Sequence, residues 1–383
     1  MKNNLNEKEF NCTGCSLCSN ICPVNAISIT MQNGFYKFNI NQEKCIGCGL
    51  CLKKCPQINK ILSKNEVLKC YSAYSTDLLN VKASSSGGIF SEIAKYVLKN
   101  NGIVVGATYE NGKVVHKLID NQEKLDKLRG SKYLQSYIGN TYSIVKEKLN
   151  EEKMVLFCGT PCQCAAMKKF IKHDNLYVLD LVCHGVPSFA EFEKSLKDRF
   201  NTSELSNINF RYKKNGWREY FINYKFEAKN IRIRNNYDDF FKSYLKNLIL
   251  NACCYDCKFS SKNRYGDITL SDFWGIEKID KQFSDNNKNI GISGVLINNE
   301  KGKYLFDEIK NNLIFKEQDF KKLEEFNPRI SCGKYSDEMY KKRQEFMNSN
   351  YKYKINTKDE LYDAFSNSLI ARAFRKVIRM VKK

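Results

Sequence analysis

The stretch Cys12-Thr13-Gly14-Cys15-Ser16-Leu17-Cys18-Ser19-Asn20-Ile21-Cys22-Pro23 spaces its cysteines as C-x2-C-x2-C-x3-C and closes on proline. The same spacing returns at Cys45-Ile46-Gly47-Cys48-Gly49-Leu50-Cys51-Leu52-Lys53-Lys54-Cys55-Pro56. A tight loop bearing three thiolates, with a fourth a helical turn later, encloses a cubane [4Fe-4S] cluster, and the repeat implies two such clusters. In paired sites of this kind the fourth cysteine ligates the other cluster. The expected ligands are Cys12, Cys15, Cys18 and Cys55 for one cube, and Cys45, Cys48, Cys51 and Cys22 for the other. Zinc sites usually pair two separated C-x2-C units and do not repeat the x2-x2-x3-Pro spacing. This segment is read as an electron-transfer module.

Working outward, the 383-residue chain has room for one or two larger domains beside the module. Apolar residues make up 42% and aromatics 13%, enough for a buried core. No run approaches the roughly 20 apolar residues of a membrane span. The first residues, Met1-Lys2-Asn3-Asn4-Leu5-Asn6-Glu7, show no secretory h-region. The 17 cysteines are spaced as metal ligands, so the expected setting is a reducing cytoplasm. The formal charge of +21 is partly offset by anionic clusters, and its lysines are dispersed. With no nucleic-acid motif present, nucleic acid is not an expected partner; acidic carriers such as reduced ferredoxin, or anionic substrates, are.

The module extends over 1–58, with a strand at 26–31, a turn at Asn33-Gly34 and a second strand at 35–38. A polar linker is expected at 59–66. Beyond it, strands expected at 70–74, 102–107, 154–157 and 176–182 alternate with helices at 88–99, 161–172 and 189–200, the pattern of an α/β domain. The aromatic stretch 208–226 reads as a hairpin or an inserted subdomain. The predicted fold class is thus an α+β ferredoxin-like dicluster module followed by an α/β domain.

Four segments of the larger domain carry chemistry. Ser84-Ser85-Ser86-Gly87-Gly88 opens an amphipathic helix, which suits either phosphate binding or a plain N-cap. Leu128 to Ser136, with Arg129, Ser131, Lys132 and Tyr133, suits an anionic or flavin-like ligand, or else a polar surface loop. Phe157-Cys158-Gly159-Thr160-Pro161-Cys162-Gln163 and Asp180 to Pro187 are strand-to-loop transitions, where α/β sheets bind ligands. Thr160 can cap a helix with Pro161 in its first position. Further on, Cys254 and Cys257 form a C-x2-C half-site. With Cys162 and Cys183 they complete four thiolates from three segments, for a third [4Fe-4S] cluster or for zinc. His116 and His173 read as structural; His184, beside Cys183, reads as a proton carrier or as an orienting group.

In order and spacing these segments, with Asp267 to Gly275, resemble the beta-subunit family of coenzyme F420 hydrogenases and dehydrogenases, over about 68–275. The resemblance implies an N-terminal family region at 67–150 and a C-terminal one at 151–330, followed by a helical region at 331–383. It implies FAD near Ser84, Ser85, Ser86, Gly87, Gly88, Arg129, Ser131, Lys132 and Tyr133, with Lys132 and His184 as catalytic candidates. It also implies a cluster on Cys162, Cys183, Cys254 and Cys257. The expected activity is that of an iron–sulfur flavoprotein oxidoreductase passing electrons from a ferredoxin-like donor to a two-electron acceptor. That acceptor is a small molecule or a glycan precursor of surface polysaccharide pathways. Coenzyme F420 chemistry and a non-catalytic electron-transfer subunit stand as alternatives. Finally, 361–383 reads as a basic amphipathic helix, suited to docking on protein or to peripheral contact with an anionic membrane.

Overall fold

In the module, β1 (Ile27–Gln32) and β2 (Phe35–Ile40) form an antiparallel hairpin around the Asn33–Gly34 turn. Each cysteine run wraps into a short helix, Leu17–Ile21 or Leu50–Lys54, and these two helices pack together. The computed structural model describes residues 3–59, 66–202, 204–227, 229–284 and 289–355. Most of the expected linker and the expected helix at 361–383 lie outside these residues.

The larger domain is built on an eight-stranded sheet. Its strands are β3 (Lys69–Ser75), β4 (Ile103–Glu110), β5 (Lys113–Ile119), β6 (Val155–Gly159) and β7 (Leu176–Leu181); all but β5 overlap the stretches where the sequence alternation placed strands. A separate three-stranded antiparallel sheet contains β8 (Asn207–Tyr212), β9 (Phe221–Lys225) and β10 (Asn230–Arg234). Then β11 (Ile268–Asp272), β12 (Ser293–Ile297) and β13 (Leu313–Glu317) complete the large sheet, in the order β13-β3-β12-β11-β7-β6-β4-β5. Its centre, β4-β6-β7-β11, is parallel, and antiparallel strands close both sides.

Alternate residues of the central strands point to opposite faces, and both faces are buried. Val104, Leu156 and Leu179 meet the helices Ile89–Lys99 and Glu300–Ile309 on one side. Val105, Phe157 and Val178 meet Thr141–Asn150 and Pro161–Phe170 on the other. Each such side chain contributes about 2 kcal/mol of burial energy, so the doubly covered sheet is the rigid frame. The aromatic stretch forms the antiparallel pair β8–β9, and β10, beyond it, adds to β9 and packs Ile233 into a second core, so the hairpin is part of a separate three-stranded unit. The helix expected at 161–172 ends at Phe170, leaving His173 in the loop beyond, where its Nδ1 accepts from Asn175 N at 3.1 Å. Among the described residues no helix is long and apolar enough to cross a membrane.

The module is bonded to this frame through its first cysteine loop. Gln135 Oε1 accepts from Tyr36 N at 2.8 Å, and its amide donates to Thr13 O at 3.0 Å. Asn20 Nδ2 donates to Gly139 O at 2.7 Å, and Asn251 Nδ2 to Cys12 O at 3.3 Å. The approach is close: a Cβ on Gly14 (φ +68°) would clash with the Gln135 amide of the frame as well as with the Tyr36 carbonyl of the module's own β2.

Candidate functional site

The loops that leave β6, β7 and β11 at their carboxyl ends open, with the loop after β3, onto one cavity of about 580 Å³. Within this wall the Thr160 amide donates to Gln163 Oε1 at 3.0 Å, and Pro161 takes the first helical position. That cap directs Cys162 to the cavity, with its Sγ 3.2 Å from Thr160 Oγ1. The loop after β7 carries Cys183 and His184, and Gly185 (φ +137°) lets it lie directly on the Cys254 Cβ. The Asn251 amide donates to Val186 O at 2.9 Å, and the Cys257 amide to Gly333 O at 2.8 Å, fixing the C-x2-C turn on that loop.

Cys162, Cys183, Cys254 and Cys257 all line the cavity, and every cysteine of the chain is free of disulfide bonds. Burial raises the Cys162 and Cys257 thiols and pushes Cys183 up to about 12. Cys254 is held below the ordinary thiol range, first by a hydrogen bond from Cys253 and then by a Val186 backbone contact, Arg329 and Arg343. Thiols buried in this way ionise when bound positive charge compensates them, as iron–sulfur or metal ligation does. Among the described residues no three His, Cys, Asp or Glu converge as ligands of a single ion would. Thiolates around a cubane stand farther apart, with the cluster atoms between them.

The module's thiols reach the same place. Cys15 is buried in an apolar cluster against which Cys162 and Cys257 pack. Burial pushes Cys15 up to about 12 and raises Cys12, Cys18 and Cys55 as well. Backbone N–H groups aim at sulfur, as cluster thiolates require: Gly14 N to Cys12 Sγ and Ala26 N to Cys22 Sγ, both at 3.3 Å. Asn4 Nδ2 lies 3.6 Å from Cys45 Sγ. Cys51 is buried, whereas Cys48 is exposed beside Ile46, which is 64% accessible. The second loop therefore lies outermost and the first innermost.

The rest of the cavity wall is polar at its edges and aromatic on its faces. Ser131 N and Oγ both donate to Ser85 Oγ, at 2.7 and 3.0 Å, stapling the two expected ligand loops together. Ser84, Ser86 and Gly88 line the cavity, whereas the Gly87 amide is already taken by Ser293 Oγ at 2.9 Å. Arg129 pairs with Asp126 and donates to Ser91 Oγ at 3.1 Å. Lys132 donates to the carbonyls of Lys127, Leu128 and Arg129. Burial pushes its ammonium down to about 7, partly opposed by Cys158. Tyr133 and Tyr244 stand with ring centroids 5.4 Å apart. His184 packs on Tyr244, its Nε2 buried without a partner, and burial and Arg329 push it down to about 4. His116 has both nitrogens bonded, to Ser136 Oγ and Cys158 O, as a structural histidine does.

Several residues here carried no sequence signal. Arg211, from β8, is fixed by Asp272 at 3.0 Å and by Tyr133, and lies over the Tyr220 ring at 4.2 Å. Lys213 ties the Ser86, Val81 and Ile290 carbonyls together at 2.7 to 2.8 Å. Asp180, prominent in its motif, is fully buried and holds Arg264, Thr269 and the Tyr265 and Gly266 amides in place.

Family models match along the chain in the same order. Residues 70–140 match the coenzyme F420 hydrogenase/dehydrogenase beta subunit N-terminal model, and 152–322 match the C-terminal model of that family. The chain belongs to this beta-subunit family. Residues 11–58 match a 4Fe-4S dicluster domain, so this member carries a fused iron–sulfur module. Family and module together make it an iron–sulfur protein of oxidoreductase electron transfer. Among solved structures, a chain of the F420-reducing [NiFe] hydrogenase complex from Methanosarcina barkeri is 18% identical. That alignment covers 76% of this chain and 92% of the other, with a TM-score of 0.47. No curated protein matches the chain.

Proposed function

We propose that this chain is an iron–sulfur flavoprotein oxidoreductase that passes electrons from a ferredoxin-like donor, through three clusters, to FAD and on to a two-electron acceptor. The observation that carries this reading is the order of the thiols. They run from exposed Cys48 in the outer loop, through buried Cys15, to Cys162 and Cys257 on the cavity wall. Single electrons entering at the outer loop have a continuous route inward.

A flavin suits the lining: Tyr133, Tyr244 and Trp274 offer flat apolar faces, and the bonded Ser85–Ser131 loops offer hydroxyl and backbone groups. When bound, FAD supplies the conversion between one-electron and two-electron transfer. Around it, the chain's own groups exclude water and manage protons. Lys132 Nζ, at about 7, can hold or release a proton near neutrality. His184 is kept neutral with a free Nε2 and can accept a hydrogen bond or orient a ligand. A small molecule or glycan precursor is the proposed acceptor class. Coenzyme F420 is the second reading, favoured by the family match; a purely electron-transferring subunit is the third.

The test is flavin content after anaerobic purification, measured by acid release and chromatography. Near-stoichiometric FAD supports a redox catalyst and calls for an acceptor screen that includes F420. Intact clusters without FAD would overturn the flavoprotein reading in favour of an electron carrier. Separately, Cys254→Ala is expected to lose about four irons and keep the eight of the module; unchanged iron would end the third-cluster assignment.

A further inference from the structure

Arg329 lies outside the sequence motifs, in the turn Pro328–Ile330 that follows the last helix packed beside the cavity. Its Nη2 donates to Cys254 O at 3.1 Å and its Nη1 to Cys332 O at 3.1 Å, so the guanidinium is clamped on the C-x2-C turn. The plane is held from the other side by Tyr335, with Cζ 4.4 Å from the ring centroid. Arg329 also lines the cavity, and its Nε is buried with no hydrogen-bond partner. No carboxylate lies within ion-pair distance of it among the ion pairs of the described residues. A clamped cation with an unused buried donor, beside four thiols that line the same cavity, is an arrangement suited to an anion.

We infer that Arg329 is the fixed positive charge of the third cluster, positioned by Cys254 O and Tyr335 to raise that cluster's reduction potential. The inference rests on the three-cluster reading. A [4Fe-4S] cluster with four thiolates carries a charge of about −2 when oxidised and gains one further negative charge when it accepts one electron. No bond breaks and no proton need move. A permanent cation close to the cluster stabilises the more negative, reduced form most. Arg329 is bonded to Cys254 O and Cys332 O and not to either cysteine loop of the module, so the third cluster is the one it should affect most.

The experiment is an EPR-monitored redox titration of the full chain with dithionite and mediators, alongside an iron count, in wild type, Arg329→Gln and Arg329→Lys. The third-cluster signal is the one missing from Cys254→Ala. Arg329→Gln is expected to keep its iron and move that signal to a more negative potential, leaving the module signals in place. Arg329→Lys, which keeps the charge, stays close to wild type. An unshifted third-cluster potential in Arg329→Gln at full iron content overturns the inference. Should Arg329→Gln lose iron, the lysine variant decides: a wild-type potential supports the role of charge, and a displaced one overturns it. A wild-type chain holding only the eight irons of the module removes the cluster reading itself, and this inference with it.

Discussion

The two cysteine loops of the module have the same spacing and opposite surroundings. In the first, Cys15 is buried against the large domain, Gly14 lies on the Tyr36 carbonyl, and Gln135 bonds the loop from the far side. In the second, Cys48 is exposed, the Asn3 and Asn4 side chains approach from the module itself, and the large domain reaches only the far end of the run, through Lys169 to Cys55 O and Lys258 to Gln57 O, among the described residues. Ligand spacing sets what each loop can bind, while surroundings set which cluster meets a donor and which hands electrons inward. A buried cluster sits among fewer water dipoles and more fixed protein groups, so equal ligand sets need not share a potential.

The largest effect should come from Cys15→Ala set against Cys48→Ala. Each is expected to lose about four irons. Cys15→Ala should abolish reduction of the third cluster by a protein donor, because it removes the inner relay, whereas Cys48→Ala removes the entry cluster and should slow that reduction while leaving the inner relay in place; freeze-quench EPR reads this directly. Equal residual reduction in the two variants would break the inner–outer order. Next, Gly14→Ala should cost about 3 kcal/mol, from a positive φ and a clash with backbone. Gly49→Ala should cost only about 1 kcal/mol, because its obstacle is the Asn3 side chain, which can swing away. The urea midpoint of iron release compares them, and equal shifts would deny that the first loop is the more tightly enclosed one.

A smaller effect concerns the cavity wall. Lys132 titrates at about 7 when folded and near 10.5 when unfolded, so between these values the unfolded chain binds the extra proton. Stability should therefore rise as pH increases from 7 toward 10.5 and be lowest, on this group's account, below 7. Lys132→Met should flatten that part of the profile in thermal unfolding; an unchanged slope would show that the ammonium is solvated.

Much of the architecture was legible. The apolar runs Ile103-Val104-Val105 and Val155-Leu156-Phe157, and the Thr160-Pro161 cap, are local signals that survive folding because burial on both faces rewards them. The subdomain was less so, since β10 is a short, polar strand whose place depends on pairing with β9. Arg211, Lys213 and Arg329 were silent because an isolated Arg or Lys in sequence resembles any surface residue. Only their burial against carbonyls, carboxylates and rings distinguishes them. Gln135, inside the Leu128 to Ser136 segment, was read for a ligand and instead bonds the module.

The sequence by itself determined the two cubane sites and the α/β frame, because ligand spacing of two and three residues and strand or helix periodicity are properties of neighbours along the chain. The tertiary structure decided what distant segments do together. It gathered Cys162, Cys183, Cys254 and Cys257 onto one cavity, turned the first cysteine loop inward and left the second at the surface. It also clamped Arg329 beside the third thiol group. Those placements follow from side chains packing across strands far apart in the chain, which no local pattern encodes.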